Sequence, residues 1–280
     1  MCHILKAEIE KLFRSRSFMI CSIIIVIMSL IVLASYQMMT KIYTPEFIDQ
    51  LNEQMAAQSG ASVEASADLN FDFLNNLSGI SMVEMAFTGN TIQLILAVLV
   101  SIFVCSEFTG GAIKSIASRG FSRTKIYTAK YLVSILAGEI LAIISILVLF
   151  LGGTILWGVG ETGADFGKHL AAFLAIEFLL NAAVAGMMVF VAMMVRNMGG
   201  TIAINVCVLM FSGMIFSLID LVLKLEEVKI ADYWIYNIIA NITSVSMNSD
   251  LINRSLIAGI FILAVSYVAG AVQFKLADIK

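Results

Sequence analysis

Six runs of about twenty apolar residues follow one another along this chain, and such runs restrict its fold more than any other feature. A bilayer core of about 30 Å needs about 20 helical residues to cross it, whereas a water-soluble core rarely uses one apolar run of that length. The composition agrees, because 60% of the residues are hydrophobic and 13% are charged. We therefore expect an all-α polytopic membrane protein, a single transmembrane domain over residues 1–280. The predicted spans are roughly 18–38, 85–105, 131–153, 170–195, 201–223 and 255–274.

The charge distribution predicts the orientation of these spans. An even number of spans places both termini on one side, and the positive-inside rule assigns the side richer in Lys and Arg to the cytoplasm. With the termini inside, twelve basic residues are cytoplasmic and five are outside, so we expect both termini in the cytoplasm. The twelve are Lys6, Lys11, Arg14, Arg16, Lys114, Arg119, Arg123, Lys125, Lys130, Arg196, Lys275 and Lys280, and the five are Lys41, Lys168, Lys224, Lys229 and Arg254.

Two long segments then face outward. The acidic segment 39–84 is either a solvated linker or a small helical lid, since residues 45–55 carry apolar side chains at helical spacing. The segment 224–253 mixes Trp and Tyr with aliphatic residues. Because Trp and Tyr favour the membrane interface, we expect interfacial or re-entrant helices before the last span.

Residues 106–130, SEFTGGAIKSIASRGFSRTKIYTAK, form a basic island between spans two and three. From Glu107 onward the apolar residues recur at helical spacing, Gly120 then interrupts the pattern, and Ser122 is placed to cap the next helix. The charges alone would suit a topological anchor at anionic lipid. The apolar stripe and the Gly110–Gly111 pair favour a short amphipathic helix that docks on a partner protein. The island lacks the glycine that a phosphate loop places directly before its lysine, so it predicts no nucleotide site.

The island resembles the segment between the second and third membrane helices of type-2 ABC exporter permeases. Glu107–Phe108, Gly110–Gly111, Lys114, Ser122–Arg123 and Lys130 match that family's pattern in order, with Ala112 where Thr often follows the glycine. The basic amphipathic N-terminal segment 1–17, expected to lie in the inner interface, and the six spans resemble the family too.

The resemblance implies a permease subunit without ATPase chemistry of its own. It implies a second permease subunit (a homo- or heterodimer), an ATP-binding subunit on the cytoplasmic face that holds ATP and Mg²⁺, and a bacterial plasma membrane as the location. No cofactor, metal or nucleic acid is expected in this chain. The substrate would be amphipathic, such as a membrane-active peptide or a lipophilic drug. The implied coupling residues are Glu107, Phe108, Gly110, Gly111, Lys114, Arg119 and Arg123, and the implied substrate path is Phe87, Asn90, Gln93, Asn205, Leu209 and Ser212.

Two acids lie inside the predicted spans, Glu139 in span three and Glu177 in span four. Ionisable groups at such depth are costly and should face protein or water. Counting helical rise from the span ends separates their depths by on the order of 10 Å, so we do not expect them to share a proton. We expect each acid to be protonated, or bonded to a nearby polar group such as Asn181 or Asn205.

Two other classes of function remain as alternatives. An ion-gradient-driven transporter or channel would use Glu139 and Glu177, although the two halves show no evident inverted repeat. An intramembrane enzyme would need a HExxH motif, paired aspartates or a Ser–His combination within the spans, and the sequence contains none of these there.

Overall fold

The computed structural model describes residues 2–43, 77–110, 122–160, 166–224, 229–242 and 249–276. These residues are helical apart from short connections, as predicted. The helices are α1 (Cys2–Arg14), α2 (Arg16–Ile42), α3 (Gly79–Thr88), α4 (Thr91–Thr109), α5 (Arg123–Trp157), α6 (Phe166–Val195), α7 (Met198–Leu223), a 3-10 helix (Ile230–Tyr233), α8 (Ile235–Asn241) and α9 (Ser249–Leu276).

Six of the described helices are long and apolar enough to cross a membrane, namely α2, α4, α5, α6, α7 and α9. The predicted number of spans is therefore confirmed. Most of these helices extend beyond their predicted bounds; α5, for instance, has 35 residues and begins at Arg123 rather than near 131. The apolar pattern marks only the part of a helix that needs hydrocarbon, whereas the helix itself continues through polar residues at both ends.

The second span differs most from its prediction. The predicted span began at residue 85, but the chain breaks at Asn90, whose φ of 53° lies in the left-handed region. The short helix α3 therefore ends at Thr88, and α4 begins separately at Thr91. The polar residues Thr88, Gly89 and Asn90, which dilute the apolar pattern, mark a boundary between two helices.

Helices α4, α5 and α6 form the centre of the bundle. Leu96 of α4, Gly138 of α5 and Asn181 of α6 meet at one level, because a Cβ placed on Gly138 would lie 3.1 Å from Leu96 and 3.3 Å from the Asn181 amide nitrogen. Tyr131 of α5 touches Gly186 of α6, so residue numbers fall along one helix while they rise along the other. Helices α5 and α6 are therefore antiparallel, and α4 and α6 run in the same direction.

The short helices α3 and α8 pack near the ends of α5, α6 and α7. Gly79 of α3 packs directly on Thr154 of α5, which brings α3 close to the C-terminal end of α5. The Asp220 carboxylate accepts hydrogen bonds from the backbone N–H groups of Ile230 and Ala231, both at 2.8 Å, and so fixes the start of the 3-10 helix. Helical structure before the last span is thus observed within 224–253. Of the predicted lid, 45–55 lies outside the described residues.

Candidate functional site

A cluster of four charged side chains joins α1, α4 and α5. The Lys130 ammonium of α5 lies 2.5 Å from one Glu107 carboxylate oxygen and 3.4 Å from a Glu8 carboxylate oxygen. Lys11 of α1 pairs with the other Glu107 oxygen. Two positive and two negative charges therefore meet at this junction, which we call the charge junction: Glu8, Lys11, Glu107 and Lys130.

Helical periodicity places Glu8 at the charge junction. Ile4, Glu8 and Leu12 follow one another at intervals of four residues, and all three are buried against the bundle. Residues four apart occupy the same face of a helix. Glu8 thus lies within the apolar face of α1, while Glu10, two residues further along the chain, is largely exposed. Glu8 is a site residue that the sequence prediction does not include, although its position between Ile4 and Leu12 is a usable signal.

Three of the four members of the charge junction are buried, whereas the Lys11 side chain is 44% exposed. Lys130 is fully buried, and Glu107 and Glu8 are 3% and 5% exposed. The face of the Phe103 ring lies 5.1 Å from the Lys130 ammonium and completes its surroundings. Burial lowers the pKa of Lys11, the nearby Lys130 charge lowers it further, and Glu8 acts in the opposite direction. Buried charges are tolerated when they are paired, so each member of the junction depends on the others.

Neighbouring contacts connect the same end of the bundle to α6, α7 and α9. The Phe108 ring lies 5.6 Å from the Arg196 guanidinium, which belongs to the turn between α6 and α7. Phe108 also packs edge-on against Phe274 of α9, with ring centroids 6.4 Å apart. Arg123 donates a hydrogen bond to the Lys275 carbonyl at 3.3 Å. The two flanks of segment 111–121 are thereby bound to α1, to the α6–α7 turn and to the C-terminal turn of α9.

The structure describes some of the predicted coupling residues, and the others lie outside the described part of the chain. Glu107 and Phe108 belong to the last turn of α4, whereas the sequence pattern suggested that a new helix begins there. Gly110 ends α4, and its N–H donates to the Ser106 carbonyl at 2.9 Å. Arg123 begins α5, and Ser122 occupies the predicted N-cap position without making a side-chain capping bond. Gly111, Lys114 and Arg119 lie outside the described residues.

Most residues of the predicted substrate path are buried within the helix bundle. Phe87 belongs to α3 and makes edge-on ring contacts with Phe173 and Phe178 of α6. Gln93 is fully buried in α4. The α7 residues of the set are also buried: the Asn205 amide donates to Ser101 of α4 at 3.4 Å, and Ser212 accepts from the Trp234 indole at 2.8 Å. Leu209 is buried between them along α7, and Asn90 forms the junction before α4.

A second polar group occupies the middle of the bundle. Gln93, Glu177 and Asn181 are each 0% exposed. Glu139 approaches Asn181, and the carboxyl oxygens of Glu139 are buried as well. None of the side-chain polar atoms of these four residues has a hydrogen-bond partner within the described part of the chain. We call Gln93, Glu139, Glu177 and Asn181 the buried acid–amide group.

Comparison with known proteins identifies a family whose function is unknown. The all-helical bundle with six long apolar helices is that of a multi-pass membrane protein. Residues 62–280 match the family model described as "Protein of unknown function (DUF2705)", which covers most of the chain. The protein therefore belongs to the DUF2705 family. A search of curated proteins found no match.

Proposed function

We propose that this protein is the membrane permease subunit of an ATP-driven exporter, and that it moves an amphipathic substrate such as a membrane-active peptide or a lipophilic drug out of the cell. ATP would be bound and hydrolysed, with Mg²⁺, by a separate subunit on the cytoplasmic face, and two permease subunits would form the pathway in a bacterial plasma membrane. The segment 106–130 would receive the motion of the ATP-binding subunits.

The observation that carries this proposal is the charge junction beside that segment. An ATP-binding subunit can shift a membrane protein between two states only if it contacts them differently, and the contact must be mechanically joined to the spans. Glu107 and Lys130 lie on the two sides of segment 111–121, and both pair with α1. A force on this segment would therefore reach α4, α5 and α1 together.

The distribution of basic residues supports the proposed orientation, in which both termini lie in the cytoplasm. The contacts of Glu107, Phe108 and Arg123 bring α1, the start of α5, the α6–α7 turn and the end of α9 to one end of the bundle. Nine Lys and Arg residues of the described chain belong to these pieces, against five at the opposite ends of the helices. The positive-inside rule assigns the richer end to the cytoplasm. The nine are Lys6, Lys11, Arg14, Arg16, Arg123, Lys125, Lys130, Arg196 and Lys275.

The test is to purify the tagged chain from membranes of its native host and identify copurifying proteins by mass spectrometry. An exporter permease should bring down a soluble subunit with a phosphate loop, and the complex should hydrolyse MgATP. We expect Glu107→Ala and Gly111→Trp to reduce assembly or hydrolysis by roughly 5- to 150-fold, the usual range of allosteric coupling. Glu10→Ala changes an exposed acid of α1 and is the matched control.

Two outcomes would contradict the proposal. The first is purification of the intact chain with no ATP-binding subunit. The second is normal assembly and hydrolysis in both Glu107→Ala and Gly111→Trp, which would leave segment 106–130 as a topological anchor only. Folding of each variant is checked by size-exclusion chromatography in detergent before its activity is measured.

The alternative function, an ion-gradient-driven transporter or channel, is favoured by one observation. Asn181, which Glu139 approaches, lies only four residues after Glu177 on α6. Four helical residues span about 6 Å, so the two acids lie closer in depth than the sequence estimate of about 10 Å. This alternative predicts substrate movement that collapses with the ion gradient and persists without ATP, whereas the exporter requires ATP.

A further inference from the structure

The buried acid–amide group lies at one level of the bundle. Leu96, Gly138 and Asn181 mark a common level of α4, α5 and α6. Gln93 lies one turn before Leu96, and Glu177 lies one turn before Asn181. Because α4 and α6 run in the same direction, Gln93 and Glu177 are displaced toward the same end by about 4.5 and 6 Å. Both side chains are fully buried between the packed helices.

Among the residues that the structure describes, no ion pair joins Glu139 or Glu177 to a Lys, Arg or His. None of the described residues within two turns of Gln93, Glu139 or Glu177 on their own helices is Lys, Arg or His. Lys130 lies nine residues from Glu139, or roughly 13 Å along the helix, and already pairs with Glu8 and Glu107. Among the titratable and charged groups of the packed helices, Cys21 of α2 is buried close to the level of Gly138, since Ser29 contacts Ser145 about two turns further along both helices. Arg254 of α9 pairs with Asp232. Others lie toward the two ends of the bundle. Toward one end are Tyr36, Glu84, Asp220, Tyr236 and Asp250, and toward the other are Cys105, Tyr127, Tyr131 and Tyr267.

Protonation of Glu139 and Glu177 would neutralise their buried charges and would also give each carboxyl group a hydrogen-bond donor. An ionised carboxylate offers only acceptors, and its burial without a cation is strongly unfavourable. A neutral carboxylic acid has one O–H donor and one carbonyl acceptor, which match the carbonyl and NH₂ of a Gln or Asn amide. Gln93 and Asn181 supply such amides, and neither has another partner among the described residues. Asn181, which Glu139 approaches, is placed to form one such acid–amide pair.

We propose that Gln93, Glu139, Glu177 and Asn181 form an intramembrane proton-binding site. The contacts of Phe87 with Phe173 and Phe178 close the bundle on one side of Glu177, and the contact of Leu96 with Gly138 closes it on the other. Separation of α4 from α6 would therefore expose the bound protons to water. Proton release and uptake then report this helix movement. The site does not depend on the exporter proposal, since it rests on contacts within one protomer.

Infrared spectroscopy of the purified full chain tests the site without requiring a reagent to reach it. A protonated carboxylic acid has a carbonyl stretch at higher frequency than the amide I band, and a carboxylate does not. We expect the wild-type spectrum at neutral pH to contain this band, and the Glu139→Gln/Glu177→Gln variant to lose it. The single variants Glu139→Gln and Glu177→Gln assign the two contributions. Glu107→Gln is the matched control, because Glu107 is buried but paired with two lysines.

The outcomes of this experiment distinguish a bound proton from a bound Na⁺ ion. The proposal requires a band whose intensity at neutral pH changes by less than about twofold when Na⁺ replaces a large organic cation. It also requires the protonated fraction to fall about tenfold for each pH unit above the titration midpoint. Absence of the band at neutral pH overturns the proposal. A band that appears only when Na⁺ is removed also overturns it, and would assign a sodium site to the same oxygens.

Discussion

The charge junction and the buried acid–amide group bury their acids in opposite ways. At the junction, Glu8 and Glu107 meet Lys11 and Lys130, so that two negative charges are matched by two positive charges. In the middle of the bundle, the carboxyl oxygens of Glu139 and Glu177 have no hydrogen-bond partner among the described residues. The same residue type is therefore ionic in the first region and, by our proposal, neutral in the second.

This difference indicates what each region can contribute to function. An ionic junction is strong only while its geometry is kept, which suits a rigid connection between α1, α4 and α5. An acid without a cation changes charge when water reaches it, which suits a site that responds to helix movement. Replacing an ionisable side chain by a neutral one should therefore reduce stability strongly at the junction and only slightly in the middle of the bundle.

Lys130→Met should give the largest effect. Lys130 is fully buried and touches both Glu107 and Glu8, so its removal leaves Glu8 without an ion-pair partner among the described residues and Glu107 with Lys11 alone. Breaking a buried pair by removing one member costs about 3–5 kcal/mol, and we expect a loss of that size in the free energy of unfolding. Chemical denaturation in detergent, monitored by tryptophan fluorescence, measures it.

The matched control for this variant is Lys125→Met, which removes an exposed lysine from the same end of α5. It should unfold at the same denaturant concentration as the wild type. The triple variant Glu8→Gln/Glu107→Gln/Lys130→Met should recover part of the loss, because it leaves no unpaired buried acid at the junction. Equal stability of Lys130→Met and the wild type would show that the junction is not a structural connection.

Glu8→Gln should give an intermediate effect. The change keeps the shape of the side chain but removes one charge from the pair with Lys130, which is 3.4 Å away. Hydrogen bonds to charged groups contribute about 1.5–3 kcal/mol, and we expect a loss near the lower end because Lys130 keeps Glu107. Glu10→Gln, on the exposed side of α1, should leave the denaturation curve unchanged. Identical curves for Glu8→Gln and Glu10→Gln would remove Glu8 from the junction.

The sequence predicted the number of long helices because apolar length is a local property. The break at Asn90 was visible only as weaker hydrophobicity, since a left-handed residue between two helices depends on how α3 packs over α5. Glu8 was missed for a different reason. The amphipathic pattern of α1 was identified, but an acid on its apolar face has meaning only when Lys130, 122 residues away, is known to face it.

The buried acid–amide group also depends on contacts between helices that the sequence does not reveal. The sequence identified Glu139 and Glu177 as intramembrane acids and named Asn181 as a candidate partner. It could not give the stagger of α5 against α6, which the small residue Gly138 sets by its approach to Asn181. The depth difference estimated from span ends was too large because the helices extend past the predicted spans. Gln93 was assigned to a substrate path, and only packing places it near Glu177 in depth.

Glu177→Gln should give the smallest effect and is the sharpest contrast with Lys130→Met. If Glu177 is a neutral acid, then Gln replaces it with a neutral side chain of the same shape and similar hydrogen-bonding capacity. We therefore expect the free energy of unfolding to change by less than about 1 kcal/mol, within the range of mild substitutions. The same denaturation assay measures it at neutral pH. A change of about 3–5 kcal/mol in either direction would instead mean that Glu177 is ionised in the folded protein, and that both buried regions are ionic.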